Sequence, residues 1–409
     1  MAKGPYLTPS SVAAWQRTSP LTERLIRLTR SLYSLFAIPI QLPLIALDTI
    51  LNTRYYGRPS WSFLFRTLRC IGGYIIWSMN PGTRPSPDVL SDSARRAIPR
   101  LRGACRAESV VVPPKEGVWF GDAVCEGVLP RDCPCFWMWL DGKMVKPTPN
   151  PSSSSTMDAK SVDDRKVMMY FVGGGMVQGH PLESPLPWTM MQVTHMPIFG
   201  VNFRKAITPE TAFPAALQDA VSAFYYLIDQ GFKPDNICMM GDSGGGGIVT
   251  TTILYLRAYR DRLVQPGSCI LVSPFVDLVD DFQSDKDALN LDLLNPTMCS
   301  IASTQYTTNR PDLRSTLLSP GRGNLSAPYT LEGLPDMLLC YGDAEIFMLG
   351  IQKLFNAVME QGNRVECHRG VDHVHVYPYY CKDRSPGGFY GRLDSFLSGD
   401  VRVGESLDG

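Results

Sequence analysis

The chain has 409 residues, of which 44% are hydrophobic, with 39 basic and 39 acidic side chains. That length allows one large domain with an appendage and a sizeable buried core. A formal net charge of zero argues against a nucleic-acid-binding protein. The pair Cys133-Pro-Cys135 has no second cysteine pair at metal-binding spacing, so we expect no metal and no other cofactor.

A hydrophobic helical segment (1–104) is predicted to precede the main domain. Residues 32–47 are almost entirely apolar, a run about as short as can span a bilayer. Pro39 and Pro43 lie inside it and are expected to kink a helix there. A second apolar stretch covers residues 61–79.

Three interpretations of this segment stay open at this point. It is a spanning or re-entrant membrane anchor, a pair of helices lying in the membrane interface, or a cap of packed helices over an active site. An anchor and a cap are compatible, because a lid that touches lipid can admit an apolar substrate. We therefore expect membrane association, at the endoplasmic reticulum or another intracellular membrane, and a cytoplasmic location otherwise.

Residues 105–399 are predicted to form one α/β domain, followed by a tail at 400–409. Short apolar runs alternate with helical patterns, which is typical of a mostly parallel sheet flanked by helices. The residues 146–165 are rich in proline and serine and are predicted to form a mobile surface loop. The predicted strands are 109–112, 135–140, 167–172, 197–203, 268–272, 337–341 and 364–368, the last strand. The predicted helices are 215–230, 248–259 and 349–360.

A glycine run, Gly173-Gly-Gly175, follows the predicted strand at 167–172. Glycines let the backbone approach a substrate closely, and backbone N–H groups are what an oxyanion hole requires. Ligands of such sheets bind at the carboxyl ends of the strands. We therefore predict that this run forms part of an oxyanion hole.

The run Gly241-Asp-Ser243-Gly-Gly245 contains the pattern Gly-x-Ser-x-Gly between an apolar stretch (236–240) and a predicted helix. A serine on such a sharp turn projects its hydroxyl out of the sheet, and the glycines prevent clashes. The helix that follows directs free N–H groups at the site of a developing oxyanion, to which Gly244 would add one. Ser243 is therefore a candidate nucleophile.

A serine nucleophile requires a base that an acid orients, and in this kind of fold they follow it in the order serine, acid, histidine. The loop after residues 337–341 offers two carboxylates, Glu345, which we prefer, and Asp343. The loop after the predicted last strand offers two histidines, His375, which we prefer for its spacing from that strand, and His373. Both alternatives stay open.

These motifs together resemble the hormone-sensitive-lipase-like branch of the α/β-hydrolases. That branch carries His-Gly-Gly-Gly, Gly-Asp-Ser-x-Gly-Gly, a carboxylate loop and a histidine, here Val172–Gly175, 241–246, 342–345 and His375. The resemblance covers about 108–385. It implies the α/β-hydrolase fold, with Ser243 as nucleophile, Glu345 as acid, His375 as base and an oxyanion hole of Gly174, Gly175 and Gly244.

The resemblance implies a serine hydrolase that cleaves a carboxylic ester or acetate of a hydrophobic small molecule through an acyl-enzyme. The N-terminal segment resembles that of membrane-associated fungal members that act on apolar esters or secondary metabolites. One departure is Val172, where the branch has the histidine that braces the glycine loop. Two alternatives follow: a condensation or cyclisation of a reactive carbonyl compound in the same site, and a catalytically silent binding protein.

Overall fold

A computed structural model describes residues 20–52, 57–78, 105–142, 144, 165–279, 291–398 and 406–407. The loop predicted to be mobile, 146–165, lies outside the described residues except for Arg165. Of the predicted tail at 400–409, only Ser406–Leu407 is described.

Nine strands form one sheet in the described part of the chain, in the order β1-β2-β4-β3-β5-β6-β7-β8-β9. The pairs β1–β2 and β2–β4 are antiparallel and all other pairs are parallel. The predicted α/β fold with a mostly parallel sheet is thus confirmed. The strands are β1 Cys105–Val112, β2 Cys133–Leu140, β3 Val167–Phe171, β4 Ile198–Val201, β5 Ile237–Asp242, β6 Ser268–Val272, β7 Asp336–Gly342, β8 Val365–Gly370 and β9 Ser406–Leu407.

The central strands carry almost uninterrupted apolar runs, as expected for strands covered on both faces. All residues of β3 and β5 are buried. The prediction that 364–368 is the last strand was wrong, because β9 pairs in parallel with β8 at Cys367 and His368. A two-residue strand is too short to show any alternation of apolar and polar residues in the sequence.

Helices cover this sheet and connect its strands. They are α3 Pro185–Thr194, α4 Ala215–Asp229, α5 Gly244–Ala258, α6 Pro296–Tyr306, α7 Met348–Glu360 and α8 Phe389–Ser398. Helix α5 begins four residues before the predicted start at 248, although glycine is a poor helix former. Close packing explains why glycines stand in the first turn of this helix, because a Cβ at Gly245 would lie 2.1 Å from the Phe171 carbonyl oxygen.

Two further helices precede the sheet, α1 (Pro20–Leu51) and α2 (Phe63–Ser78). They pack against each other through polar contacts, since the buried Arg66 forms an ion pair with the buried Asp48. The Nε of Arg66 also donates to the Trp61 carbonyl (3.1 Å). The N-terminal segment is therefore a helix pair, as far as the structure describes it.

Much of the outer surface of this helix pair is apolar. In α1, the part Ser31–Leu51 is long and apolar enough to cross a membrane, and only 17% of an apolar stretch of 18 residues within it is buried. The large hydrophobic side chains exposed on the two helices are Leu25, Leu28, Leu32, Tyr33, Leu35, Phe36, Ile40, Leu44, Leu47, Ile50, Leu51, Phe63, Leu64, Leu68 and Ile75.

The segment just before α2 fastens the helix pair to the main domain. Arg58 donates to the carboxylates of Asp343 (2.6 Å) and Asp372 (2.9 Å). Ser60 donates to the same carboxylate of Asp372, and the Trp61 indole N–H donates to its carbonyl (2.8 Å). These partners lie in the two loops that follow β7 and β8, where the acid and the base are predicted.

Candidate active site

Ser243 lies at the sharp turn between β5 and α5, in a backbone conformation (φ 50°, ψ −122°) that side chains rarely adopt. Its amide donates to the Val272 carbonyl (2.9 Å), which ties the turn to the next strand. A Cβ at Gly241 would lie 2.4 Å from the Gly245 carbonyl oxygen, so a side chain at this position would clash with the first turn of α5. The strained turn is what a nucleophile elbow requires.

The glycine run lies directly against this turn. The amide of Gly173 is used structurally, because it donates to the Asp242 carboxylate (3.1 Å). Gly174 (φ 116°) and Gly175 (φ 61°) adopt positive φ, which favours glycine. A Cβ at Gly244 would lie only 2.8 Å from the Gly175 nitrogen, so these two backbones are neighbours. Gly174 and Gly175 line the same cavity as Ser243.

Glu345 is fully buried in the loop after β7, and its two carboxylate oxygens have different surroundings. Oε2 accepts hydrogen bonds from Ser273 Oγ (2.6 Å) and from the Gly342 amide (3.0 Å). Oε1 faces His375 Nδ1 at 3.8 Å. That contact is longer than a hydrogen bond.

His375 is buried in the loop after β8, and its ring meets the edge of Phe347 with centroids 5.0 Å apart. Its Nε2 has no hydrogen-bond partner among the described residues, and the ring lines the same cavity as Ser243. Burial alone would lower the pKa of His375. The carboxylates of Glu345, Asp292 and Asp242 outweigh that effect and raise the pKa above its ordinary value.

The two alternative residues lie in other surroundings. Asp343 accepts from Arg58 (2.6 Å) and Arg369 (3.0 Å) and from the Asp372 amide (2.8 Å). His373 stacks on the ring of Tyr377, with centroids 4.7 Å apart and an interplanar angle of 8°. Of the predicted candidates, the structure therefore brings Glu345 and His375 together and leaves Asp343 in a structural ion-pair cluster.

Sequence reasoning missed a set of buried groups next to Ser243. Asp242 accepts hydrogen bonds from Tyr170 (2.6 Å) and Tyr379 (2.8 Å) as well as from Gly173. Burial raises the pKa of Asp242, and these hydrogen bonds oppose that shift. The side chain thereby links the serine turn to the glycine run and to the loop after His375. The family pattern Gly-Asp-Ser marked Asp242, but no sequence signal marked the tyrosines.

A cavity of about 210 Å³ opens beside Ser243. Its walls are mostly apolar. They include Phe347 and the ring of Phe275 that stacks on it, Met298 and Ala302 from α6, and Ile76 from α2. Helix α2 therefore contributes to the wall of the site as well as to the apolar outer surface. This matches the interpretation of the N-terminal segment as a cap and leaves the anchor interpretation compatible with it.

Residues 168–379, which are 212 of the 409 residues, match a protein family whose description is alpha/beta hydrolase fold. The chain belongs to this family. It is 27% identical over 218 residues to an acetyl-hydrolase of Streptomyces hygroscopicus, covering 53% of this chain and 70% of the relative. It is 33% identical over 116 residues to an ethyl acetate hydrolase of Pseudomonas putida, covering 27% of this chain and 35% of that relative. A match to hormone-sensitive lipase of Mus musculus has 30% identity and covers 24% and 13%.

Solved structures of esterases share the fold. An esterase from the bacterial hormone-sensitive lipase family superposes with a TM-score of 0.56 at 18% identity, covering 80% of this chain and 94% of that one. The esterase EstE5, soaked with p-nitrophenyl butyrate, gives a TM-score of 0.54 at 23% identity, covering 80% and 95%. These likenesses bear on the fold and not on the substrate.

Proposed function

We propose that the protein hydrolyses a carboxylic ester of a hydrophobic small molecule through an acyl-enzyme on Ser243. The family and its esterase and acetyl-hydrolase relatives make the chain a carboxylic-ester hydrolase. The observation that supports the assigned residues best is a buried carboxylate facing a buried histidine, Glu345 and His375 at 3.8 Å, beside a cavity that Ser243 also lines.

Each step of the proposed reaction conserves its atoms and protons. His375 Nε2 takes the hydroxyl proton of Ser243 as Oγ attacks the ester carbonyl. The N–H groups of Gly174, Gly175 and Gly244 stabilise the negative charge on the former carbonyl oxygen. The protonated histidine then gives its proton to the departing alkoxide, which leaves as the alcohol. Water, deprotonated by the same histidine, then attacks the acyl carbonyl, and the histidine returns that proton to Ser243 Oγ as the acid leaves.

The cavity supports a small acyl group. Its volume of about 210 Å³ is below the range of roughly 300–1,000 Å³ that is usual for drug-sized ligands. Two relatives carry names that refer to acetyl groups, acetyl-hydrolase and ethyl acetate hydrolase. We therefore assign an acetate or another short acyl ester of an apolar alcohol.

The proposal extends to a membrane. The apolar part of α1, 21 residues long, corresponds to roughly 30 Å of helix, close to the thickness of a bilayer core. Arginines precede it at 24, 27 and 30, a charge that suits anionic lipid headgroups. The resemblance to membrane-associated fungal members extends the proposal to an intracellular membrane, such as the endoplasmic reticulum, and to an ester of secondary metabolism.

Labelling with a fluorophosphonate, followed by intact-mass measurement, tests the nucleophile. We expect one label per chain on the wild-type protein and none on Ser243→Ala. An unlabelled wild-type protein, or equal labelling of the variant, overturns the assignment. Comparison of Ser243→Ala with His375→Ala on a turned-over ester then separates covalent chemistry from condensation by proton transfer alone, which would survive loss of the serine.

A further inference from the structure

A third carboxylate, Asp292, lies beside the proposed acid and base, although it comes from a different part of the chain, shortly before α6. It is 5% exposed. Its Oδ1 accepts hydrogen bonds from the His375 amide (3.0 Å) and the Leu293 amide (2.7 Å). Its Oδ2 accepts from the Ile346 amide (2.9 Å). One side chain therefore bonds the backbone of the base itself and of the residue next to Glu345.

These bonds add to direct contacts between two loops, in which the Ala344 amide also donates to the His373 carbonyl (2.9 Å). The loop after β7 carries Glu345 and the loop after β8 carries His375, and the two side chains must keep a fixed separation for the imidazole to be oriented. The described residues that line the cavity do not include Asp292, so this side chain is not placed to touch a substrate bound there. Its effect on the reaction must pass through the position and the charge state of the other two residues.

The charges around His375 come from three elements. Glu345 faces it from the loop after β7, Asp242 from the serine turn, and Asp292 from the segment before α6, and all three favour the protonated ring. Asp292 itself faces His375 and Glu345, with Cys299 and Tyr380 nearby. Burial raises the pKa of Asp292 to about 6, against the opposing effect of His375. Its charge is therefore coupled to that of the base.

We propose that Asp292 is a positioning residue that holds the acid and base loops in register and stabilises the imidazolium formed when Ser243 attacks. This inference rests on the proposed ester hydrolysis for its kinetic meaning. Its geometric part, the hydrogen bonds from the Ile346 and His375 amides to Asp292, does not depend on that reaction.

The test uses Asp292→Asn in the full-length protein, with Asp277→Asn as a matched control. Asp277 is also buried and also accepts a backbone N–H, from Val279 (3.1 Å), but its ion pair is with Arg322 (3.2 Å). Both variants therefore remove one buried negative charge that accepts a hydrogen bond from the backbone. Each is measured for kcat and KM on p-nitrophenyl acetate across pH, and for thermal unfolding.

For Asp292→Asn we expect kcat to fall about 100-fold with KM nearly unchanged, because small displacements of catalytic groups cost about that much. We also expect the acid limb of the pH–rate profile to move to lower pH, since a carboxylate that favours protonated His375 has been removed. For Asp277→Asn we expect an unshifted acid limb and a kcat within about 3-fold of wild type, a much smaller loss than the 100-fold expected for Asp292→Asn. This holds even if the two variants lower the unfolding temperature equally. An unshifted limb in Asp292→Asn, or the same kinetic loss in both variants, overturns the proposal.

A second readout keeps the proposal testable if no ester is turned over. The chain has only five histidines, so the ring resonances can be followed by NMR after 13C labelling of histidine and assignment with His375→Gln. We expect the titration midpoint of His375 to move to lower pH in Asp292→Asn and to stay in place in Asp277→Asn. An unmoved midpoint contradicts the role of Asp292, whereas missing esterase activity with a moved midpoint contradicts only the proposed function.

Discussion

Replacing Glu345 by glutamine probes how the base is held. A glutamine carbonyl oxygen can keep the hydrogen bonds from Ser273 Oγ (2.6 Å) and the Gly342 amide (3.0 Å). Its NH2 group would then take the place of Oε1, which lies 3.8 Å from His375 Nδ1. Two N–H groups would face each other, so the imidazole would adopt the tautomer whose proton lies on the nitrogen that must accept from Ser243.

The expected cost follows from that tautomer. Loss of the correct tautomer in a serine–histidine–acid triad lowers kcat by about 10⁴. Because the contact here is longer than a hydrogen bond, we expect a loss of about 10³–10⁴, equivalent to about 4–5.5 kcal/mol of transition-state stabilisation. The hydrogen bonds that remain should preserve the fold. The assay is steady-state hydrolysis of p-nitrophenyl acetate, accompanied by thermal unfolding.

Asp343→Asn is the matched comparison, because Asp343 is the alternative acid and lies two residues away. Its carboxylate pairs with Arg58 and Arg369, so we expect a lower unfolding temperature and kcat within about 10-fold of wild type. The reasoning is refuted if Glu345→Gln keeps more than about a tenth of the wild-type kcat, a loss far smaller than the tautomer predicts, or if Asp343→Asn shows the larger loss.

Three further predictions concern the base, the oxyanion hole and the membrane. The carboxylates that face His375 raise its pKa, and a general base acts only in its neutral form. We therefore expect kcat/KM to fall as the pH decreases, with a midpoint above pH 6.5. A midpoint below pH 6.5 contradicts this prediction. Gly175→Ala would place a Cβ 2.8 Å from the Ala302 side chain, at a φ of 61° that favours glycine. We expect kcat to fall about 10²–10³-fold and fluorophosphonate labelling to slow without being lost. An unchanged kcat argues against the proposed oxyanion hole. Phe36→Glu, on the apolar face of α1, should weaken co-flotation with anionic lipid vesicles at least several-fold. Leu129→Glu, at a similarly exposed residue of the main domain, should not. Equal flotation of the two variants rules out the apolar face of α1 as the membrane-binding surface.

The local features of the site could be predicted from the sequence. The turn at Ser243 depends on glycines within two residues of it, and close packing at Gly241 and Gly245 leaves no other choice. The alternation of buried strands and helices is likewise a local pattern. This is why the fold, the serine turn and the glycine run at 173–175 were accessible without a structure.

Choices that depend on distant partners could not be made in this way. The sequence favours Glu345 over Asp343 but leaves both open, and the structure places Asp343 elsewhere because it pairs with Arg58, 285 residues away along the chain. Asp292 follows a stretch with several other aspartates, so nothing marked it before its bonds to His375 were seen. The short strand β9 escaped for the same reason, since its pairing with β8 is its only signal.

The most direct test of the central claim is to trap the acyl-enzyme. The protein is mixed with p-nitrophenyl acetate, quenched with acid within the first turnovers and mapped by peptide mass spectrometry. We expect one acetyl group per chain, on the peptide that contains Ser243, and a longer-lived adduct in Glu345→Gln. Turnover of the ester without any acetyl group on that peptide, or with the acetyl group on another residue, would contradict it.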